Sequence, residues 1–373
     1  MINSIAKIIF VLMVAFHGLI HLLSFLKAFD LVQINKLTRP ISRPLGLLWL
    51  VAALVLVVTA AAFVFKVQWW WIVAIVGALL SQILIFTAWK GARVGSIPNL
   101  ILLIVAILAL GSLRFESGYR QDVCSAQEQA RGLPVEILTE SDLQTLPPPV
   151  QRYLRYVGVV GKPKVVSIFA EITGEMSQRE GAYFPLTAEQ YNFFNQPTRL
   201  FFMKGRMFGL TVPGYHRYQE KSAAMDIRLF GLLPVVKVDG VVMFEADTVT
   251  MFNDMCLMAP ATLIDQRITW QAVDDLTVKG IFTNQGTTIS AMLYFNEEGQ
   301  LVNFVSNDRW DVSTMKQYPF STPVSRYRNI NGYNLPTYGE IIWHYPDGDF
   351  VYGKLHITNI VYNIQTAEHA QTQ

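Results

Sequence analysis

The chain has 373 residues, of which 52% are hydrophobic and only 16% charged, with a formal net charge of +2. A soluble protein carries about 25% charged residues, so this composition excludes a chain that lives wholly in water. With so little net charge and no run of basic residues, nucleic acid is not an expected partner.

Four stretches lack Asp, Glu, Lys and Arg altogether: Ile8–Leu26, Pro44–Phe65, Val67–Trp89 and Val94–Leu113. Each is close to the roughly 20 residues that a helix needs to cross a bilayer core of about 30 Å. Helices are predicted because backbone groups in lipid must be satisfied within their own segment. The rival for the first stretch is a cleaved signal peptide. Its apolar run exceeds the roughly 7–15 residues of a signal core and no small-residue cleavage site follows, so an uncleaved span is expected.

Basic residues set the expected orientation. The loop after the first span holds Lys27, Lys36, Arg39 and Arg43 against Asp30, and the loop after the third holds Lys90 and Arg93. The second loop holds only Lys66. Loops one and three are therefore predicted to be cytoplasmic, with the N-terminus and everything after Leu113 outside the cytoplasm. Lys7, Arg114 and Arg120 run against this reading, the last two partly offset by Glu116 and Asp122. Trp69, Trp70 and Trp71 suit an outer interface, Trp49 and Trp89 an inner one.

The predicted layout is a transmembrane region over 1–115, a polar connector over 116–149, a β domain over 150–363 and a disordered tail over 364–373. The connector is expected to carry a short helix near Cys124–Arg131 and a capped turn over Thr139–Leu146. The triplet Pro147-Pro148-Pro149 stiffens the chain and can start a helix. Val150, Tyr153, Leu154 and Val157 then recur at helical spacing, with Gly158 as the stop.

From Lys164 the texture is β. Expected strands are Val165–Met176, Glu189–Phe194, Thr198–Lys204, Leu210–Tyr218, Ala223–Phe230 and Val235–Val238. Further on, Ile289, Ala291, Leu293 and Phe295 alternate with more polar neighbours, and Glu297-Glu298-Gly299 turns the chain into Gln300–Ser306. Asn331-Gly332 is a hairpin signal between Ser325–Ile330 and Tyr333–Leu335. Pro346-Asp347-Gly348 separates Tyr338–Tyr345 from Phe350–Tyr362. Tight turns between strands imply a mainly antiparallel sheet. Phe244–Ala259 breaks the pattern. Phe244, Thr248, Met251, Phe252, Met255 and Met258 share one helical face, which should pack on the sheet.

Several phrases carry a resemblance. They are Leu146-Pro147, Val150-Gln151-Arg152-Tyr153-Leu154, Gly158-Val159-Val160-Gly161-Lys162-Pro163, Gln190-Tyr191-Asn192 and Pro197-Thr198-Arg199. Phe295-Asn296 with Gly299, Asp308-Arg309 and Tyr362-Asn363 complete the set. Over about residues 140–363 the chain resembles an uncharacterised bacterial family of membrane-anchored proteins, a domain of unknown function. At fold level, a curved antiparallel sheet with helices on its concave face is similar to the periplasmic lipoprotein-carrier fold. That likeness implies a cavity for acyl chains, and no binding residue is carried over from it.

Five sets of residues are weighed as candidates for chemistry. His17 and His21 lie four apart on one face of the first span. They could ligate haem or a metal, contact a quinone or lipid headgroup, or simply hydrogen-bond Ser81, Gln82 or Asn99 on neighbouring helices. Met251, Phe252, Met255 and Met258 could line an apolar cavity or fill an ordinary core, since Met adapts to either. Cys124 and Cys256 could form a disulfide outside the cytoplasm or remain a free thiol and a small buried hydrophobe. Asp308-Arg309 reads as an internal ion pair. His216, His344 and His356 read as structural or surface residues, with His344 expected opposite about Val351 and His356 opposite about Gly339.

No G-x-S-x-G, H-E-x-x-H, C-x-x-C, P-loop or G-x-G-x-x-G occurs, which argues against common hydrolases, metalloproteases, thiol redox enzymes and nucleotide enzymes. An enzyme is not expected, nor is a metal or cofactor. The expected protein is a multi-pass bacterial inner-membrane protein of the cell envelope: a four-helix transmembrane bundle plus an extracytoplasmic α+β, mainly antiparallel domain shaped as a curved sheet or half-barrel. Its expected function is to bind lipid or a lipoprotein acyl chain. The alternative is a structural or assembly module that binds another envelope protein.

Overall fold

A computed structural model describes residues 4–32, 40–134, 136–179, 181–207 and 209–364. Lys36 and Arg39 of the first loop, and the expected tail beyond residue 364, lie outside the described residues. The chain divides into two compact units, Met1–Phe115 with Phe230–Leu232, and Glu116–Leu229 with Leu233–Gln373.

The first unit is helical. Helices α1 (Ser4–Ala28), α2 (Arg43–Val64) and α3 (Trp70–Thr87) follow one another, then the short α4 (Trp89–Ala92) and the beginning of α5 (Ser96–Ala130). Among the described residues, four helices are long and apolar enough to cross a membrane. Their outward faces are Leu, Ile, Val and Phe, and their inward faces include Ala52, Ala53, Ala74, Ala78 and Ala106. Small residues of this kind let helix backbones approach when no hydrophobic drive separates lipid from protein. Gly18 shows how close the approach is: a Cβ there would lie 3.1 Å from the Ala53 carbonyl oxygen of α2.

Helix α5 has 35 residues, so the fourth apolar segment does not stop near Leu113. It runs through the first half of what reads as a polar connector. Pro98 falls in its first turn, where proline is tolerated, and no later proline interrupts it. In the second unit its last turns are amphipathic, with Tyr119, Val123 and Ala126 buried at helical spacing. Tyr119 stacks on Phe202 at 4.9 Å, and Arg120 bridges Glu116 at 3.2 Å and Glu189 at 2.7 Å. Thr139 then caps α6 (Glu140–Leu143) through a capping box with Asp142. Helix α7 (Pro148–Val157) opens on Pro148 and ends on Gly158, whose φ of 80° is the left-handed stop that glycine supplies.

Most of the remainder is one curled antiparallel sheet, of 14 strands among the described residues, a half-barrel with helices packed on it. Strands β1 (Ser167–Met176), β2 (Phe184–Phe193), β3 (Thr198–Met207), β4 (Leu210–Gln219), β5 (Ser222–Leu229) and β6 (Leu233–Asp239) form a meander, each paired with the next. Helix α8 (Val241–Leu257) and a short 3-10 turn (Pro260–Ile264) then carry the chain to the far edge of the sheet. There β7 (Ile268–Ala272), β8 (Thr277–Asn284), β9 (Thr287–Phe295) and β10 (Leu301–Ser306) build inward as a second meander. Two-residue strands follow: β11 (Trp310–Asp311) pairs with β12 (Lys316–Gln317), and β13 (Phe320–Ser321) joins β10 to the main sheet. Strands β14 (Val324–Ile330), β15 (Tyr333–Tyr345) and β16 (Gly348–Tyr362) finish the fold, β16 pairing with β1 to unite the halves.

Alternation fixes which face is inside. Along β9, Ile289, Ala291, Leu293 and Phe295 are all buried, as the sequence pattern predicts. Asn331 (φ 49°) and Gly332 (φ 92°) make the tight turn of the β14–β15 hairpin. Register shifts at Glu171/Ile172, Ile227/Arg228, Leu301/Asn303 and Ile341/Ile342 bend the strands. Bulges of this kind increase local twist and curl a sheet. The sequence reading omits β7 and β8. It also splits β15 at Pro336, which in fact sits within the strand opposite Tyr327. In the last hairpin His344 faces Asp349 and His356 faces Tyr338, one or two positions from the expected partners, because the turn is tighter than the expected Pro346–Asp349 loop.

Candidate functional site

Helix α8 is where the fold and the chemistry meet, because it crosses the sheet with two different stripes. Phe244, Thr248, Met251, Phe252 and Met255 form the first stripe and are fully packed. Phe252 stacks on Phe282 at 5.6 Å and meets Phe304 edge-on at 5.7 Å. Gly280 makes room for that ring, since a Cβ there would lie 2.6 Å from Phe252 Cζ. Tyr218 stacks on Phe244 at 4.8 Å, and its hydroxyl lies 3.1 Å from Thr248 Oγ1. Of the four residues expected to line an apolar cavity, Met251, Phe252 and Met255 therefore belong to the solid core. Met258 is the one of the four that lines the cavity beside this helix.

The second stripe, Asp247, Thr250, Asp254 and Leu257, does face a cavity. Its volume is about 320 Å³. One wall comes from the first meander, with Ile172, Phe201 and Met203, and the opposite wall from the last strands, with Ile341, Trp343 and Leu355. A polar helix stripe ordinarily faces water. Here it faces inward because the sheet supplies partners for it. Asp254 Oδ2 accepts hydrogen bonds from Arg199 Nε (2.8 Å), Gln190 Nε2 (2.7 Å) and Asn192 Nδ2 (3.0 Å). Arg199 Nη2 also donates to Gln190 Oε1 at 3.1 Å, and its guanidinium lies 4.8 Å from the Phe201 ring centre. The ion pair is buried, with side-chain exposures of 9% and 10%.

Arg309 and Asp308 do not pair with each other, contrary to the sequence expectation. Asp308 Oδ2 accepts from the Ser290 backbone N–H (2.6 Å) and hydroxyl (3.0 Å). Arg309 turns into the cavity, where Nη1 donates to Thr250 Oγ1 and the guanidinium lies 4.2 Å from the Phe320 ring centre. The two residues lie in the link between β10 and β11, outside either strand, and each is held by a different partner. Two buried atoms in this group lack a hydrogen-bond partner among the described residues: Asp247 Oδ2 and Arg309 Nε. Burial raises the Asp247 carboxyl to about 6, against the pull of Arg199 and Arg309. Burial, reinforced by the same two arginines, lowers His216 on the cavity wall to about 3.

Sequence reasoning missed this polar group, although Gln190, Asn192, Arg199 and Arg309 all stand in the phrases that carry the family resemblance. The available signal was an acidic pair, Asp247 and Asp254, two helical turns apart on a segment otherwise rich in Met and Phe.

In the first unit His17 and His21 are buried and hydrogen-bonded. His17 Nε2 lies 3.0 Å from Asn99 Oδ1 and 3.2 Å from Ser81 Oγ. His21 Nδ1 lies 2.8 Å from the His17 carbonyl oxygen, and its Nε2 2.8 Å from Ser81 Oγ. Carbonyl and amide oxygens only accept, so His21 Nδ1 and His17 Nε2 carry the hydrogens and the Ser81 hydroxyl donates to His21 Nε2. Asn99 Nδ2 continues the chain to Gln82 Oε1 at 3.1 Å. Both Nε2 atoms are thus engaged within the protein. Asn99→Leu is expected to cost about 1 kcal/mol, the scale of interhelical hydrogen bonds in lipid, as measured by denaturant titration of the membrane-embedded chain. An unchanged midpoint would show that the network is stabilising nothing.

Cys124 is an exposed free thiol and Cys256 a buried one, so the disulfide considered from sequence is not made. The Cys256 carbonyl instead accepts from Tyr153 Oη at 2.8 Å, tying α8 to α7. His344 bonds Ser321 and Asp349, and His356 lies against Tyr338. Among the described residues no group of three or more His, Cys, Asp or Glu is placed to hold a metal ion.

No curated protein matches this chain. Among solved structures, it is similar to a domain assigned to outer-membrane lipoprotein sorting in Vibrio parahaemolyticus, at 7% identity and a TM-score of 0.34, covering 54% of this chain and 88% of that one. It is similar to a DUF1329 family protein from Desulfovibrio piger at 10% identity and a TM-score of 0.36, covering 60% and 96%. A LolA superfamily protein from Nitrosomonas europaea gives 9% identity and a TM-score of 0.36, covering 64% and 99%. The model of a family of unknown function, DUF6544, matches residues 136–355, more than half of the sequence and most of the sheet, and the chain belongs to that family.

Proposed function

We propose that the β unit binds an apolar ligand, a lipid or a lipoprotein acyl chain, while the helical unit anchors it in the bacterial inner membrane. On this reading the N-terminus and the β unit are extracytoplasmic, as the basic residues of the first and third loops imply. The observation that carries the proposal is the cavity of about 320 Å³ between α8 and the sheet. Ligand pockets run from roughly 300 to 1,000 Å³ and are mostly apolar with a few placed polar groups. The drive is burial, at about 0.8 kcal/mol for each methylene removed from water.

A photoreactive benzophenone amino acid at Tyr352, which lines the cavity, tests this in cells. Irradiation is expected to add a lipid-sized mass there, and not at the outward-facing Tyr294. A discrete protein adduct at Tyr352 would favour the assembly-module reading, and the absence of any adduct would defeat ligand binding.

A further inference from the structure

The polar lining of the cavity restricts what the ligand can carry, and this inference rests on the apolar-ligand reading above. Two guanidinium groups, Arg199 and Arg309, face four carboxyl groups, Asp247, Asp254, Asp311 and Glu340. Most of these are already satisfied. Asp254 is held by Arg199 and two amides, Asp311 accepts from Ser313, Thr314 and Tyr345, and Glu340 accepts from the Tyr338 hydroxyl at 2.8 Å. Of the fully buried polar atoms in the lining, one acceptor, Asp247 Oδ2, and one donor, Arg309 Nε, lack a hydrogen-bond partner among the described residues. The two belong together: Asp247 and Thr250 are three residues apart on one face of α8, and Arg309 is bonded to Thr250.

Three ligand classes fit poorly. A bare hydrocarbon leaves both groups unsatisfied, and a buried polar group without a partner is costly. An anionic head group meets four carboxyls against two cations. A cationic head group could pair with Asp247, but it would be repelled by Arg309 and would leave that donor unused.

We propose that the cavity takes an amphiphile with an uncharged head group, a hydroxyl or amide on an aliphatic chain, which donates to Asp247 and accepts from Arg309. The aliphatic part lies along the apolar walls. A site that hydrogen-bonds a ligand hydroxyl discriminates strongly against analogues that lack it, because its own buried groups are then left unpaired.

The test uses the full chain with the Tyr352 photoprobe, in phosphatidylcholine nanodiscs doped with equal fractions of 1-monooleoylglycerol, oleate, oleylamine and 1-octadecene. Covalent adducts are counted by mass. The monooleoylglycerol adduct is expected to exceed each of the other three about tenfold, the equilibrium equivalent of about 1.4 kcal/mol and so of one hydrogen bond to a charged group. Asp247→Leu and Arg309→Met should each bring the ratio to octadecene down about tenfold while the octadecene adduct itself persists. Persistence of that adduct also shows that the variants are folded. Equal labelling by all four probes, or dominance of oleate or oleylamine, overturns the head-group inference and leaves the apolar-ligand reading standing. No adduct with any probe overturns both.

Discussion

Asp254→Leu is expected to destabilise the β unit by about 3–5 kcal/mol, the usual consequence of stranding a buried charge. The substitution removes one carboxylate and leaves Arg199, Gln190 and Asn192 without their common acceptor. Solvent cannot replace it readily, because the ion pair is about nine-tenths buried. The double variant Arg199→Met with Asp254→Leu should lose much less than either single change. It removes both charges together, and Gln190 Nε2 still donates to Asn192 Oδ1 at 2.9 Å. Cys256 provides a reporter for this unit. It is a buried free thiol on α8, so in a Cys124→Ser background its labelling rate follows opening of the β unit. If Asp254→Leu labels no faster than the parent, the pair contributes no net stability.

The second large effect depends on pH. The Asp247 carboxyl is raised from 3.8 to about 6 in the folded protein. The folded state therefore holds that proton more tightly than the unfolded state. Below about pH 4 both states are protonated and Asp247 has no effect. As pH rises through 6 the folded state must carry a buried carboxylate, and stability falls by about 3 kcal/mol from this group. His216 works in the opposite sense. Its folded value is lowered from 6.5 to about 3, so the unfolded state takes a proton first and stability is lost as pH falls below 6.5. Between about pH 4 and 6 the two slopes offset each other. Asp247→Asn is expected to raise stability by about 3 kcal/mol at pH 8 and to unmask a steep loss on acidification. Adding His216→Phe should flatten that loss. Cys256 labelling across pH is the measurement. An Asp247→Asn protein less stable than wild type at pH 8 would mean that the buried carboxylate costs the folded state nothing.

The contrast between what is legible and what is not follows the range of the interactions. The spans are legible because a bilayer imposes a length and an apolar composition on each segment separately. Their ends are less so: α5 continues to Ala130 because helix propagation needs only the absence of a breaker and a partner for Tyr119, Val123 and Ala126. The turn at Asn331-Gly332, the stop at Gly158 and the alternation along β9 are likewise properties of a few adjacent residues. Strand β8 is hard to read because Lys279 and Gly280 blur its pattern. That glycine is explained by the Phe252 and Trp270 rings packed against it.

Sequence alone determined that this protein has an apolar helical part and a mainly antiparallel part, because periodicity and composition act within single elements. It also placed a helix near residues 244–259 and named Ser81 and Asn99 as neighbours for the histidines of α1. Only tertiary structure decided which stripe of α8 faces the cavity. Both stripes have helical spacing, and hydrophobicity alone points Met251, Phe252 and Met255 toward a ligand. The choice was made by distant residues. Phe282 and Phe304 close over the apolar stripe, while Gln190, Asn192, Arg199 and Arg309 make the acidic stripe tolerable inside. The Asp254 carboxylate is held inside by donors from other strands that converge on it, and that convergence exists only once the sheet has curled.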